Sequence, residues 1–84
     1  MYQVVLESHA ERDLDSLPKG TVERVVAAVR DLADNPRPPG CRKLVGSRSD
    51  WRIRIGDYRV VYEIDDRRRQ VRVLLVRHRR EAYR

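Results

Sequence analysis

Eighty-four residues, 40% of them hydrophobic and 38% charged, suffice for one small core, so residues 1–84 read as a single domain. The lone cysteine, Cys41, excludes an internal disulfide. No Cys/His grouping has metal-ligand spacing, and no apolar run approaches membrane length. The expectation is a soluble, cytoplasmic protein with no metal, no cofactor and no membrane contact.

The formal charge of +6 is concentrated at one end of the chain. Residues 1–50 balance eight Lys/Arg against eight Asp/Glu, whereas residues 51–84 set eleven arginines against five carboxylates. The guanidinium is a planar fork that grips phosphate bidentately and stays ionised, so a segregated arginine field suits a polyanion partner. A solvated, solubilising surface is the other meaning such a field can have.

Residues 2–7 are rich in β-formers and predict an opening strand. Ser8-His9-Ala10-Glu11 has the pattern of a capping box, and Ala10, Leu14 and Leu17 recur at helical spacing, predicting a short helix to about Leu17. Pro18-Lys19-Gly20 breaks it. A second helix follows, with Thr21 as its cap and Val22, Val25, Val26, Val29, Leu32 and Ala33 on one stripe, ending at Asn35-Pro36. Residues 36–50 read as a loop pinned by Leu44 and Val45.

From Trp51 the period changes to two. Trp51, Ile53 and Ile55 alternate with Arg52 and Arg54, and Tyr58, Val60, Tyr62 and Ile64 alternate with Arg59, Val61 and Glu63. Gly56-Asp57 between them predicts a tight β-hairpin. After the polar turn 65–70, Val71–Val76 predicts a strand apolar on both faces, as in a central strand. The order β-α-α-β-β-β predicts an α+β fold, with the two N-terminal helices packed on one face of a four-stranded antiparallel sheet.

The two-residue turn sets the register. Ile55 faces Tyr58, Arg54 faces Arg59, Ile53 faces Val60 and Arg52 faces Val61. Trp51, Ile53, Ile55, Tyr58, Val60 and Tyr62 then share the core face, and Arg52, Arg54 and Arg59 the opposite one. Like charges opposed across a strand pair cost roughly 0.2–1 kcal/mol, a cost that folding does not call for and a bound phosphate would reverse. The tail adds Arg77, His78, Arg79, Arg80 and Tyr83. An aromatic among guanidiniums suits stacking on an unpaired base, although Tyr83 alone reads equally as a packing residue. His78 is the one histidine near the cluster; His9 reads as a surface residue.

The run Trp51 to Ile64, WRIRIGDYRVVYEI, resembles the central hairpin of RelE-like toxins in the RelE/ParE superfamily. Leu17-Pro18-Lys19, Asn35-Pro36-Arg37-Pro38 and Arg42-Lys43-Leu44-Val45-Gly46 look like the same family's helix and linker segments, and Val76 to Tyr83 like its closing motif. The resemblance spans nearly the whole chain. It implies a type II toxin that cleaves mRNA in the ribosomal A site, the ribose 2′-oxygen attacking the adjacent phosphate to leave a 2′,3′-cyclic phosphate. By position, Arg59 and Arg79 would clamp the phosphate, Arg52 and Arg54 would neutralise charge, and Tyr83 would stack on or orient the nucleotide. Arg77 and Arg80 would add RNA contacts.

Better-known members carry lysines where Arg52 and Arg54 stand. Lysine can lose its proton among cations, whereas arginine does not. The general base is then Tyr83 or His78, or catalysis is mainly electrostatic. Two rival readings stand beside the nuclease: a ParE-like, non-enzymatic inhibitor of DNA gyrase, and a catalytically weak RNA-binding or regulatory homologue. In every case the resemblance implies a cognate antitoxin that lays an amphipathic segment on the helices or sheet edge, with acidic residues near the arginines. Operator DNA would be reached indirectly, through that antitoxin.

Overall fold

The computed structural model describes residues 1–47 and 49–80. Seven elements follow in order: β1 (Gln3–Leu6), α1 (Ser8–Asp15), α2 (Lys19–Asp31), β2 (Arg42–Lys43), β3 (Asp50–Ile55), β4 (Tyr58–Asp65) and β5 (Gln70–His78). The α+β class and the helix pair on one face of a sheet are as expected. The sheet itself has five strands in the order β1-β5-β4-β3-β2 and is mixed rather than antiparallel. β1 pairs in parallel with β5, Gln3 to Leu6 lying beside Gln70 to Val73. No local turn sets that long-range pairing, whereas the β3–β4 turn fixed its own register. The extra strand, β2, is two residues long and too short to show a period.

Valine is a poor helix former, costing at most about 0.7 kcal/mol per residue against alanine. Burial of a Val or Leu side chain returns about 1.5–3 kcal/mol, so packing decides α2. Val25, Val29 and Leu32 are buried, together with Ala10 of α1, against Ile53, Val60, Tyr62, Ile64 and Val73 of the sheet. The helix starts differ from expectation. α1 begins at Ser8 with the extended Glu7 as its cap residue; the Glu7 N–H donates to the Val73 carbonyl, and its carboxylate lies 3.1 Å from Arg72 rather than capping the helix. Pro18 caps α2, which places Thr21 inside the first turn. Val45 is fully exposed, so it pins nothing; the loop is tied instead by the Leu44 N–H, which donates to the Asp50 carbonyl at 2.9 Å.

The apolar run in β5 has a second cause besides its central position. Val61 pairs with Leu75 and Tyr62 with Val73, so Leu74 is the extra residue of a β-bulge. The bulge lets Val73 and Val76, three apart, both face the core.

Three contacts fasten the periphery. The buried Tyr62 hydroxyl donates to the Pro36 carbonyl at 2.7 Å, and burial pushes its phenol well above the ordinary tyrosine pKa. Asp66 accepts from the Tyr2 hydroxyl at 2.6 Å and from both terminal nitrogens of Arg37 at 3.3 and 2.8 Å, while Arg37 lies 5.0 Å over the Trp51 ring. Where β1 stops, the Asp13 carboxylate of α1 takes over the edge of β5 and accepts from the Val76 N–H at 3.0 Å.

Candidate functional site

The β3–β4 hairpin has the register that its turn predicts: Ile55 faces Tyr58, Arg54 faces Arg59, Ile53 faces Val60 and Arg52 faces Val61. Gly56 takes a left-handed φ of +59°, which suits the primed turns of two-residue hairpins. A second reason for glycine lies in the space around it. A Cβ there would come within 3.2 Å of the Arg24 guanidinium, which α2 brings to the turn.

Across the next ladder Arg59 pairs with Arg77, so three arginines stand in a row over β3, β4 and β5. The chain continues past β5 along the hairpin tip. The Arg79 N–H donates to the Asp57 carbonyl at 2.7 Å, and the Arg79 Nε lies 3.9 Å from the Asp57 carboxylate. The Arg80 N–H donates to Nδ1 of His78 at 3.2 Å, fixing the turn that follows the strand. Arg54, Gly56, Asp57, Arg59, Arg79 and Arg80 thereby enclose a cleft of about 370 Å³. Among the described residues, four arginines line it against one carboxylate, that of Asp57. Arg54, Arg79 and Arg80 are exposed and Arg59 is half-buried.

Not every residue singled out in the sequence joins this cleft. Arg52 lies on the open face as expected, yet it is only 8% exposed and lines the outer side of β3 rather than the cleft. Arg77 swings to α1, its Nε 3.7 Å from Asp13 and its NH2 against the His9 ring. That gives His9 a contact where a bare surface residue was expected. His78 stands on the core side of β5, packed edge-on against Tyr58 with ring centroids 5.3 Å apart and facing Asp13, Ser16 and Leu17. It is therefore on the opposite face from Arg54 and Arg59. Tyr83 lies outside the described residues.

Two cations escaped the sequence reading. Arg24 sits on the polar side of α2, where periodicity says nothing about what it approaches. Arg42 pairs with Arg52 in β2, which puts its side chain on the open face, but the strand is too short to be read. What the arrangement can do is bind a phosphate and stabilise added negative charge on it.

Comparison with known proteins places this geometry among relatives. A sequence profile for the ParE toxin of type II toxin–antitoxin systems, parDE, matches residues 4–83. Toxin RelG of Mycobacterium tuberculosis is 39% identical over 87 residues, spanning 99% of this chain and 97% of its own length. The archaeal RelE–RelB complex from Pyrococcus horikoshii OT3 superposes with a TM-score of 0.83 at 29% identity, covering 93% of this chain and 94% of the other. The toxin–antitoxin complex RelBE2 from Mycobacterium tuberculosis does so with a TM-score of 0.82 at 33% identity, covering 92% and 96%.

Proposed function

The chain belongs to the ParE toxin family of type II toxin–antitoxin systems, within the RelE/ParE superfamily, and from its likeness to toxin RelG we propose that it is a ribosome-dependent endoribonuclease cutting mRNA in the A site. The observation that carries the reading is the convergence of Arg54, Arg59, Arg79 and Arg80 on one cleft at the hairpin tip. Attack of the ribose 2′-oxygen on the neighbouring phosphorus forms the new P–O bond and breaks the bond to the 5′-oxygen. One proton leaves the 2′-hydroxyl and one reaches the departing 5′-oxygen. Between those events the phosphorane carries extra negative charge, and preorganised cations lower the barrier most where that charge develops.

Arg59 and Arg79 flank the cleft as a clamp on the phosphate, Arg54 adds a third charge, and Asp57 holds Arg79 in place. Arg52, buried on the outer side of β3, supports the field without lining the cleft. His78 faces α1, which removes it as the base. Tyr83 and electrostatic activation by the guanidiniums remain the two routes for the 2′-hydroxyl proton; Tyr83→Phe separates them, abolishing cleavage only in the first.

The match to the ParE description supports a second reading, inhibition of DNA gyrase without catalysis. Adding the protein to mRNA-programmed ribosomes and mapping cuts by primer extension, with ribosome-free mRNA alongside, decides between them. Cuts confined to the A-site codon are expected. Intact mRNA together with blocked supercoiling in a gyrase assay would establish the alternative. Under either reading a cognate antitoxin neutralises the protein, with acidic groups over the arginine cleft, and carries the pair to operator DNA.

A further inference from the structure

Arg54 lines a second, larger cleft of about 640 Å³, inside the roughly 300–1,000 Å³ range typical of small-ligand sites. This cleft follows the outer edge of β3, between α2 and the loop before β2. Arg42, Arg52, Arg54 and Asp31 supply its polar groups, and Pro38 and Pro39 form one wall. Ala28, Ile53 and Ile55 make an apolar floor. The Cys41 N–H donates to the Pro38 carbonyl at 3.0 Å across a turn in which Gly40 takes a φ of +90°, so the proline wall is held by its own backbone.

The strand edge is the informative part. The bond from Leu44 to the Asp50 carbonyl shows that even-numbered residues of β3 direct their backbone groups toward the β2 side. β2 pairs only with Trp51 and Arg52, so the next outward residue, Arg54, presents its N–H and C=O to the cleft beyond the end of the ladder. One residue of pairing, closed off by the Gly56-Asp57 turn, cannot hold an added peptide strand, since even a full two-stranded pairing is marginal. A donor and an acceptor side by side do match the edge of one base.

Resting on the nuclease reading, we infer that this cleft binds the next nucleotide along single-stranded mRNA from the pair joined by the scissile phosphate. Its base lies on the apolar floor against Pro38 and Pro39, with its edge hydrogen-bonded to the Arg54 backbone. Its phosphate sits between the Arg42 and Arg54 guanidiniums, and Asp31 accepts from a ribose hydroxyl or exocyclic amine. Arg54 lines both clefts, so a strand crossing that residue would touch each.

The test uses the full chain and 2′-O-methyl oligonucleotides, which cannot be cut, of two and four nucleotides, read by fluorescence anisotropy at about 0.15 M salt. Wild type binds the tetranucleotide about tenfold more tightly than the dinucleotide, the scale of one added stacked base and phosphate contact. Arg42→Gln, an exposed position, leaves dinucleotide binding unchanged and removes that gain. Three results overturn the inference while leaving the nuclease intact, provided wild type still cuts mRNA on ribosomes. They are equal affinity for both lengths in wild type, equal weakening of both lengths by Arg42→Gln, and an Arg42→Gln defect seen only in ribosome binding, which assigns the cleft to ribosomal RNA. An Arg42→Gln defect confined to antitoxin binding overturns it in favour of a peptide occupant. If wild type binds neither oligonucleotide and leaves ribosomal mRNA whole, the nuclease reading falls with it.

Discussion

Replacing Arg54 with threonine is predicted to make the isolated protein more stable and less active at once. Arg54 faces Arg59 directly across the hairpin, and like charges in that relation cost roughly 0.2–1 kcal/mol. Arg59 has a second cationic neighbour in Arg77, but Asp13 lies 3.7 Å from that guanidinium and offsets part of its charge. Arg54→Thr removes only the first of these two pairs, so the relief is that of one directly opposed pair. Arg54 is exposed, so the substitution empties no core space, and threonine suits a strand. For a domain of this size each kcal/mol moves the melting temperature by about 4–8 °C, which makes the expected rise about 1–8 °C. Circular dichroism melts of both proteins at about 0.05 M and 1 M salt read it. The gain should shrink at the higher salt, where the screening length falls to about 3 Å. A polyanion such as heparin should raise the wild-type melting temperature more than the variant's, because it binds the folded arginine row. A lower melting temperature for Arg54→Thr at low salt, or a gain that persists at 1 M, would refute the account of the row as stored repulsion.

Three further substitutions probe the scaffold. Tyr62→Phe strands the buried Pro36 carbonyl and should cost about 1–3 kcal/mol in urea unfolding, whereas a change within error would remove that bond from the account. Asp13→Ala leaves the Val76 N–H at an open strand edge; a loss of about 1–3 kcal/mol and faster amide exchange at Val76 are expected, and unchanged exchange there would contradict the edge-capping role. Asp66 is held below its ordinary carboxylate pKa first by the Arg37 hydrogen bond and then by that of Tyr2. A lowered folded pKa means its stabilisation is full above the unfolded value of about 3.9 and is lost as pH falls through the folded value. The melting-temperature gap between wild type and Asp66→Asn should hold from about pH 7 to 5 and close below about pH 4; a gap that widens on acidification has the wrong sign.

Legibility in the sequence tracked how local each cause was. The hairpin register was readable because Gly56-Asp57 and the alternation around it act within a few residues, and the α2 stripe because one face of a helix repeats. The parallel β1–β5 pairing was not, since its partners are far apart in sequence and no turn joins them. The same division runs through the site. Arg54 and Arg59 could be placed from register alone, and Arg79 from the resemblance. His78 was misplaced because the face it takes depends on the bulge at Leu74, and the turn of the Arg77 side chain toward Asp13 was not readable because it depends on where α1 lies. Ser8 and Thr21 have the right chemistry for caps, yet Glu7 and Pro18 hold those positions because the chain is still extended when it reaches them.

The central claim is that the arginine cleft drives attack by the ribose 2′-hydroxyl on a phosphate of ribosome-bound mRNA. Its most direct test is single-turnover cleavage on ribosomes programmed with two messages, one all-ribose and one carrying a single 2′-deoxy sugar 5′ of the mapped cut. The all-ribose message should be cut to a 2′,3′-cyclic phosphate end, and the 2′-deoxy message should stay whole at that bond. Equal cutting of both would contradict the claim, since no 2′-oxygen would then have taken part.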